Sequence, residues 1–514
     1  MYGVNKPEEE DAMGRDGKIL SARLAVILWT ATTLLWAQNA VGQVADIAAS
    51  TAPPLQDATR CDVILTTRDA ARCVGSVRAD SPIPALDPEH IYTLPELIDI
   101  AETASPDGRI AWAEAKRSIE RAGVDRALYL PVITFVAQGS DLRAIVPFPK
   151  PIAPLGYVTV EEPTALAQLQ LEYSLLDFGR GAKVDGSKAL ELASTLRLSR
   201  MHQDIAYSTS AAFYRTQQAI GQLTAARTVL ATAEILSQNA QSQYDNGRAT
   251  LPDVQNAEAG VAEARFDLAS AVGEVKKAKL ALTESIGVEP TAEIEIQPQQ
   301  QNDSPNSLDS KVEELIQAAW KSRPDLLARA QEVRNAQDAS RTAHAAYLPT
   351  VGLAATGGQT AIWASADWGQ VGYANIPTWS VEAKLRWEVF NGARRHEVNA
   401  ALAEQKAATE EKRATQDAVT RQVWDAYVDY ETALEQQRSS QSFLAAAQTS
   451  YDSSLDAYKY GVRSLVDVVQ AERQLAQARF TTVRSHAQLM QSAVALSFAT
   501  GDLLQHNSST GVHP

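Results

Sequence analysis

The sequence predicts a mixed α+β chain built from two pseudo-equivalent halves, and three observations predict it. First, the turn sequence Tyr244-Asp245-Asn246-Gly247 returns as Tyr458-Lys459-Tyr460-Gly461, shifted by 214 positions in a chain of 514 residues. Second, each half contains extended segments in which apolar and polar residues alternate. Third, each half contains long segments with apolar residues at heptad spacing. A repeat of this length is far larger than a solenoid or propeller unit, which indicates one duplicated unit.

The N-terminal residues 1–42 have the pattern of a secretory signal peptide. Basic residues precede an apolar stretch at 24–35, and the small residues Ala40-Val41-Gly42 follow it. The apolar stretch is too short for a typical membrane-spanning helix, which needs roughly 20 residues. Acidic residues at 8–11 are unusual in this position, so Met13 is an alternative start. N-terminal sequencing of the unprocessed product decides between the two.

Two irregular segments are predicted outside the halves. Residues 43–90 form an N-terminal extension without sustained periodicity, and residues 504–514 form a disordered tail. The extension holds Cys61 and Cys73, the two cysteines of the chain. In an exported protein such a pair can form a disulfide, and the alternative is two unpaired thiols.

In the first half, residues 91–288, two segments have the character of strands. The segment 131–140 begins at Pro131, which can open a strand without losing a ladder hydrogen bond. The segment 165–177 alternates apolar Ala167, Leu169, Leu171, Tyr173 and Leu175 with polar Gln168, Gln170, Glu172 and Ser174. Strict alternation predicts a strand with one apolar and one polar face. Strands of soluble sandwiches alternate too, so the pattern alone does not assign the strand to a membrane.

Most of the remaining first half is predicted to be helical. Apolar and small residues between Ile205 and Ala233 follow steps of three and four, which is typical of a coiled-coil seam. A continuous helix over residues 181–243 would extend on the order of 90 Å at about 1.5 Å per residue. Gly247 marks the turn to a second long helix, because glycine adopts positive φ at a helix end with little strain.

A polar connector at 289–310 leads to the second half, residues 311–503, which repeats the same order of elements. Strands are predicted at 349–357 and 378–390. The latter alternates apolar Trp379, Val381, Ala383, Leu385, Trp387 and Val389 with polar Ser380, Glu382, Lys384, Arg386 and Glu388. Gly461 marks the turn between the two long helices of this half.

Composition and motifs exclude several classes of function. The formal net charge is -15 and the pI about 5.1, which argues against nucleic acid as the main partner. The seven histidines form no pair at metal-ligand spacing, and phosphate-loop and nucleophile-elbow motifs are missing. We therefore expect no enzyme, no cofactor and no metal site.

Four strands in one chain cannot close a barrel. Open sheet edges leave unpaired backbone groups, which lipid does not tolerate. If these strands span a membrane, the chain must therefore oligomerise.

Residues 92–503 resemble the TolC family of outer-membrane efflux and secretion channel proteins. The motifs that carry the resemblance are Tyr-Leu-Pro at 129–131 and 347–349, Leu175–Arg180 with its counterpart Val389–Arg394, and the turns at Gly247 and Gly461. The resemblance implies a homotrimer with a twelve-stranded transmembrane β-barrel, four strands from each protomer, continued by a long α-helical coiled-coil tunnel in the periplasm. The polar positions 168–174 and 380–388 would then face the lumen and the apolar ones the outer-membrane lipid.

The resemblance also implies a function and partners. The protein would be a porin-like channel of the outer membrane, the passive exit duct of a tripartite efflux or type I secretion system. Its partners would be a periplasmic adaptor (membrane fusion protein), docking at the turns with Gly247 and Gly461, and an inner-membrane transporter of RND, ABC or MFS type. The transporter would select the cargo.

Site residues follow from the same resemblance. A periplasmic gate would link Tyr458 and Arg463 to Asp253, and the alternative reading is ordinary helix-end charges in solvent. An acidic ring at the entrance would include Asp467. Gln470 replaces the second acidic residue of that ring, which weakens the expected attraction of cations.

Two other functions compete with a channel. One is a periplasmic coiled-coil adaptor or scaffold without a pore, which would share the heptads but has no need of the strand at 378–390. The other is a soluble periplasmic binding protein, which is disfavoured because the sequence has no α/β pattern. Membrane fractionation separates them, since only the channel should need detergent.

Overall fold

The computed structural model describes residues 86–151, 153–298 and 311–503. The predicted signal peptide, the pair Cys61 and Cys73, the predicted tail and part of the connector lie outside these residues. Within the described chain, two compact units are distinguished: Val124–Lys183 with Arg341–Val398, and the described parts of Asp80–Gly123, Val184–Ser340 and Asn399–Pro514. We call them the sheet unit and the helical unit.

The described chain contains short and long helices, four long strands and two strands of two residues each. In chain order they are β1 (Ile91–Tyr92), α1 (Leu94–Ala104), α2 (Pro106–Arg126), a 3-10 turn (Ala127–Tyr129), β2 (Val132–Pro147), β3 (Tyr157–Leu176), α3 (Arg180–Asp245), α4 (Leu251–Ser285), β4 (Glu295–Ile296), α5 (Val312–Ser322), α6 (Pro324–Ala345), β5 (Thr350–Ala366), β6 (Gly369–Arg386), α7 (Arg394–Lys459) and α8 (Leu465–Thr500). Over the described residues, no helix combines the length and the apolar character needed to cross a membrane.

The sheet unit is a four-stranded antiparallel sheet in the order β2-β3-β5-β6. Except beyond two irregularities near the strand ends, its register pairs even positions with even and odd with odd, as in Glu172 opposite Ala354 and Ala354 opposite Glu382. The alternation noted in single strands therefore becomes two faces of one sheet. The even face carries Thr134, Gln168, Gln170, Glu172, Thr356, Ser380, Glu382 and Lys384, and the odd face carries Phe135, Leu169, Leu171, Leu353, Trp379, Val381 and Leu385.

The strands differ in extent from the segments expected from sequence. β2, β3, β5 and β6 contain 16, 20, 17 and 18 residues, longer than each predicted segment. The predicted strand at 378–390 was wrong at both ends, because β6 begins at Gly369 and stops at Arg386. Beyond its end, the Trp387 indole donates to the Tyr347 carbonyl at 3.2 Å, and Arg394 donates to the Glu388 carbonyl at 2.9 Å. Those side-chain contacts replace the ladder in the connection to α7.

The helical unit contains most of two helical hairpins of nearly equal size. Helices α3 and α7 have 66 residues each, and their partners α4 and α8 have 35 and 36. Buried apolar residues form several small clusters rather than one large core, for example Val419, Val423 and Leu489 with residues of α5. Alanine occupies many of the buried positions, which allows the helices to approach closely.

The last turn of α8 is held by side chains from elsewhere in the helical unit. Carbonyls at a helix C-terminus have no partner within the helix. Four side chains donate to the carbonyl oxygens at this end. The bonds run from Arg200 to Phe498 (3.1 Å), from Arg323 to Ala499 (3.2 Å), from Ser322 to Thr500 (2.8 Å) and from Gln203 to Gly501 (2.9 Å). Four successive carbonyls are thus satisfied by residues that are distant in sequence.

Candidate functional site

Asp253, expected at a gate, lies in the first turn of α4. The Thr250 backbone N–H and hydroxyl donate to Asp253 Oδ2 at 2.9 and 2.6 Å. This is a capping box, in which two side chains satisfy the free N–H groups at the start of a helix. The Thr250 hydroxyl, followed by its backbone N–H, holds the pKa of Asp253 below its ordinary value. The carboxylate is therefore negative at neutral pH.

Asp467, expected in an entrance ring, occupies the equivalent position at the start of α8. The Ser464 backbone N–H and hydroxyl donate to Asp467 Oδ2 at 3.1 and 2.8 Å. The Ser464 hydroxyl, its backbone N–H and then the Arg463 charge lower the pKa of Asp467. The sequence reasoning assigned the two aspartates different roles and missed this shared one. The signal was a Ser or Thr three positions before each Asp.

Tyr458 packs into an apolar cluster rather than making the expected hydrogen bond. Its ring packs against a cluster of α3, α4 and α8 residues: Leu236, Ala240, Ala257, Leu465 and Val468. Its hydroxyl is buried and accepts or donates no hydrogen bond among the described residues. Burial raises the pKa of Tyr458, and the Asp253 carboxylate raises it further. The single chain thus brings Tyr458 under the influence of Asp253 without a direct bond.

Arg463 contacts a different partner from the expected one. Its Nη1 donates to the Ser454 hydroxyl at 3.3 Å. No ion pair between Arg463 and Asp253 occurs in the described part of this single chain. The guanidinium lies on an exposed residue at the tip of the second hairpin, with donors that Ser454 does not use.

The two hairpin turns have the same backbone conformation at their glycines but carry different side chains. Gly247 and Gly461 have φ of 71° and 73°, a conformation that a side chain would strain. Beside Gly461, the side chains of Tyr460 and Val462 are 85% and 77% exposed. The first turn carries Asn246 and Arg248 in corresponding places. The tip of the second hairpin is therefore apolar and the tip of the first is polar, a difference that sequence reasoning did not use.

The sheet presents two unpaired edges as well as two unlike faces. Strands β2 and β6 are its outer strands, and within the described residues each pairs with one neighbour only. Exposed edges of this length are templates for pairing with another chain. On the even face, Lys384 and Glu382 form an ion pair at 3.0 Å. The arrangement can hold water on one face and an apolar environment on the other.

Two arginines related by the 214-residue shift fix the strand-to-helix connections. Arg180 Nη1 donates to the Ser174 carbonyl at 2.6 Å, and its guanidinium lies 4.4 Å from the centre of the Tyr129 ring. Arg394 bonds the Glu388 carbonyl and lies 5.1 Å from the centre of the Tyr347 ring. The two Tyr-Leu-Pro motifs thus supply the aromatic faces on which these cations rest.

The described residues offer little for chemistry or metal binding. Within them, no group of three or more His, Cys, Asp or Glu side chains could hold a metal ion. A cavity of about 620 Å³ lies between α7 and α8; it is open to solvent and its lining surface is mainly apolar. It is lined by Asp429, Gln436, Ser440, Phe443, Arg484 and Gln488, among others.

Comparison with known families gives one match that spans most of the described chain. The family described as outer membrane efflux protein matches residues 97–288 and 315–502. The two matched segments coincide with the two halves of the internal repeat.

Individual proteins agree with this match. Protein CyaE of Bordetella pertussis is 28% identical over 430 residues, covering 82% of this chain and 86% of that protein. The outer membrane efflux protein BepC of Brucella suis is 25% identical over 344 residues, covering 66% and 72%. Among solved structures, the channel OprN has a TM-score of 0.67 at 19% identity, covering 82% and 95%. VceC of Vibrio cholerae has a TM-score of 0.66 at 18% identity, covering 79% and 96%. These structures establish the fold.

Proposed function

The chain belongs to the outer membrane efflux protein family, and from this membership we propose that it is the passive exit duct of a tripartite efflux or type I secretion system. Members of the family are channels of the outer membrane rather than enzymes, and they work as trimers with an adaptor and an inner-membrane transporter. No catalytic step is part of the proposal.

The observation that carries the proposal is the sheet with two unlike faces and two open edges. In one chain β2 and β6 are the outer strands; three copies would contribute twelve strands, with β6 of one copy pairing with β2 of the next until the edges are closed. Closure satisfies the backbone groups that lipid would leave unpaired. The even face, with Gln168, Gln170 and Glu382, then lines water, and the odd face meets lipid. A scaffold without a pore has no need of this division.

The long hairpins supply the periplasmic part of the duct, and their turns supply the contacts to the adaptor (membrane fusion protein). The turns at Gly247 and Gly461 are exposed, and the apolar Tyr460 and Val462 are available to a partner. The transporter, of RND, ABC or MFS type, determines the cargo.

The gate and the entrance charge remain part of the proposal. Asp253, Tyr458 and Arg463 lie near the turns of the two hairpins, and closing the entrance would let Arg463 leave Ser454 for a carboxylate of an adjacent hairpin. A charge-assisted Arg–Asp bond is stronger than the neutral one it replaces. Asp467 contributes one carboxylate per copy to the entrance.

Conductance of the purified protein in a planar lipid bilayer tests the proposal. We expect a detergent-dependent trimer that forms stable ion-conducting pores. A monomer that stays in solution without detergent and conducts nothing would exclude a duct.

A further inference from the structure

Within one chain, a row of α8 residues packs against the first helical hairpin. Leu465 and Val469 belong to an apolar cluster that includes residues of α3 and α4. Further along α8, Ala476 and Phe480 pack against a second apolar cluster of the same two helices. Residue 472 continues the row between these pairs, at the helical spacing of three and four. A carboxylic acid, Glu472, therefore stands in the middle of an otherwise apolar contact.

Glu472 is buried and lacks a hydrogen bond at one of its carboxyl oxygens. The residue is 7% exposed, and within the described residues its Oε1 atom has no hydrogen-bond partner. An ionised carboxylate in such a place loses its hydration without compensation. A protonated carboxyl carries no charge and costs much less to bury. The surroundings of Glu472 thus favour the neutral acid.

Charged and titratable groups of α4, α7 and α8 lie around Glu472. Burial is the largest influence on its pKa and raises it above the ordinary value. Arg473 and Arg479 of α8 oppose this rise, and Glu263 of α4 adds to it. Arg473 is engaged elsewhere, because it donates to Glu263 at 3.1 Å. Tyr451 of α7 is near as well: burial and then the Glu472 charge raise the pKa of its hydroxyl, which therefore stays neutral at neutral pH.

The equivalent position of the first half has different surroundings. Glu258 of α4 stands 214 residues before Glu472 and is exposed. The repeat thus places a glutamate at the same point of both hairpins, and the second of them is buried. The burial of Glu472 is therefore a property of the contact that α8 makes with its neighbours, and Glu258 provides a matched control.

We propose that Glu472 is a proton-binding switch at the contact between the two hairpins. When the carboxyl is protonated, the apolar row tolerates it and α8 stays packed against α3 and α4. When the carboxyl releases its proton to water, the resulting anion requires hydration, and α8 separates locally from the first hairpin. The switch lies within one chain and does not depend on the proposed duct.

The direction of the pH dependence follows from the raised pKa. Because the folded contact holds the proton of Glu472 more tightly than the open one, its contribution to stability is complete below the ordinary carboxyl pKa. That contribution is lost as pH rises through the raised pKa. The contact is therefore firm in an acidic medium and loosens toward neutral pH. Asp253 and Asp467, whose pKa values are lowered, contribute in the opposite sense.

Amide hydrogen exchange of the purified full-length protein in detergent tests the proposal. The protection of residues 465–480 is measured between about pH 5 and about pH 8, after each rate is corrected for the intrinsic exchange rate at that pH. Wild type is compared with Glu472→Gln, which keeps the shape of the side chain and cannot ionise. Glu472→Leu is a second uncharged variant, and Glu258→Gln is the same change at the exposed counterpart.

We expect wild type and Glu258→Gln to lose protection by up to about tenfold for each pH unit in this range. Both variants of Glu472 should keep the protection of the acidic state throughout. Asp267 of α4 also has a raised pKa, through burial and Glu263. A loss retained in both Glu472 variants would therefore assign the effect to another group and overturn the proposal. Wild-type protection that does not change with pH would overturn it without any variant. Trimer formation and conductance of the same samples report separately on the proposed duct.

Discussion

Asp253 and Asp467 have the same structural role at equivalent positions in the two halves. Each closes a capping box at the start of a helix that follows an exposed turn. Their lowered pKa values result from hydrogen bonds to Thr250 and Ser464. The cap keeps the carboxylate ionised and fixed at the hairpin tip, where the proposed gate and entrance ring need a negative charge.

Removing the partner of Asp253 should loosen the first turn of α4. We expect Thr250→Ala to cost about 1 kcal/mol of local stability, the typical value for an N-cap. Because the pKa of Asp253 is lowered, its contribution is present above the unfolded pKa and is lost as pH falls through the folded pKa. Amide hydrogen exchange in the first turn of α4, followed from neutral to acidic pH, measures both effects. In Thr250→Ala the acid-dependent rise should be smaller, because only the backbone N–H of residue 250 still donates to Asp253, and an unchanged rise would contradict the assignment.

Arg323 is the buried charge on which the end of α8 depends. Its side chain is 2% exposed, and it donates to both carboxylate oxygens of Asp325, at 3.0 and 2.6 Å, and to Gln422 at 2.8 Å. Burial alone would raise the pKa of Asp325, but the Arg323 hydrogen bonds and charge outweigh it and the pKa is lowered.

We expect Arg323→Ala to destabilise the helical unit by about 3–5 kcal/mol, because it leaves a partly buried carboxylate and a helix-end carbonyl unpaired. Arg329→Ala is the control, since Arg329 is 40% exposed and its ion pairs are worth little. Urea denaturation of both variants provides the measurement. An equal loss in the two variants would exclude a special role for Arg323.

At the scale of the elements, the sequence predicted the strands and helices that form from a local pattern of residues. The alternation around Leu169 and Trp379 identified β3 and β6, and the heptads and Gly247 identified the first hairpin. The first half of β6 was missed because Gly369, Gly372 and Pro377 favour turns, and the strand exists through pairing with β5. That pairing is a long-range property which local alternation does not contain.

The candidate site was predictable in position and less so in contacts. Asp253, Tyr458 and Arg463 lie within a few residues of Gly247 or Gly461, whereas the gate that the resemblance implies for them stays a prediction. The capping role of Asp253 is indicated by Thr250, which stands three positions before it, but it was not predicted. The partner of Arg463, Ser454, is nine residues away and could not be inferred, because it depends on where the turn directs the side chain.

Adjacent residues of β6 provide a test of the two sheet faces. Trp379 is 80% exposed on the odd face, and Ser380 lies on the even face. We expect Trp379→Arg to oppose insertion by about 2–4 kcal/mol, the depth-dependent cost of a cation facing lipid. Ser380→Arg should insert normally and lower the single-channel conductance for cations.

Folding into liposomes and conductance of the inserted protein distinguish the two variants. If Ser380→Arg fails to insert while Trp379→Arg inserts, the faces are assigned the wrong way round.

At the scale of the whole molecule, the internal repeat explains why the two halves of the chain have similar elements. The two halves share strands, hairpins and capping boxes, yet their strands together do not close a sheet. Within the described residues, the outer strands β2 and β6 each pair with one neighbour only. These open edges are consistent with assembly from copies of the same chain.

The proposed gate predicts a change in conductance for the assembled protein. We expect Arg463→Ala to raise the single-channel conductance, because the closed entrance loses a charge-assisted link in every copy. Lys459→Ala is the control, since Lys459 lies on the same hairpin and pairs only with the nearby Asp456, at 3.0 Å. Equal conductance in wild type and Arg463→Ala would remove Arg463 from the gate.

The length of the strands has a further consequence for how cargo leaves the cell. A tilted transmembrane strand needs about 9–11 residues, whereas β3 has 20. Charged Asp141, Arg143 and Glu161 appear on the odd face toward the strand ends joined by the β2–β3 loop. In the proposed barrel, that part of the sheet would therefore extend beyond the hydrocarbon region of the membrane. A hydrophobic molecule released at the outer end of that barrel would enter water before it reached the lipid. This would hinder its partitioning back into the outer membrane.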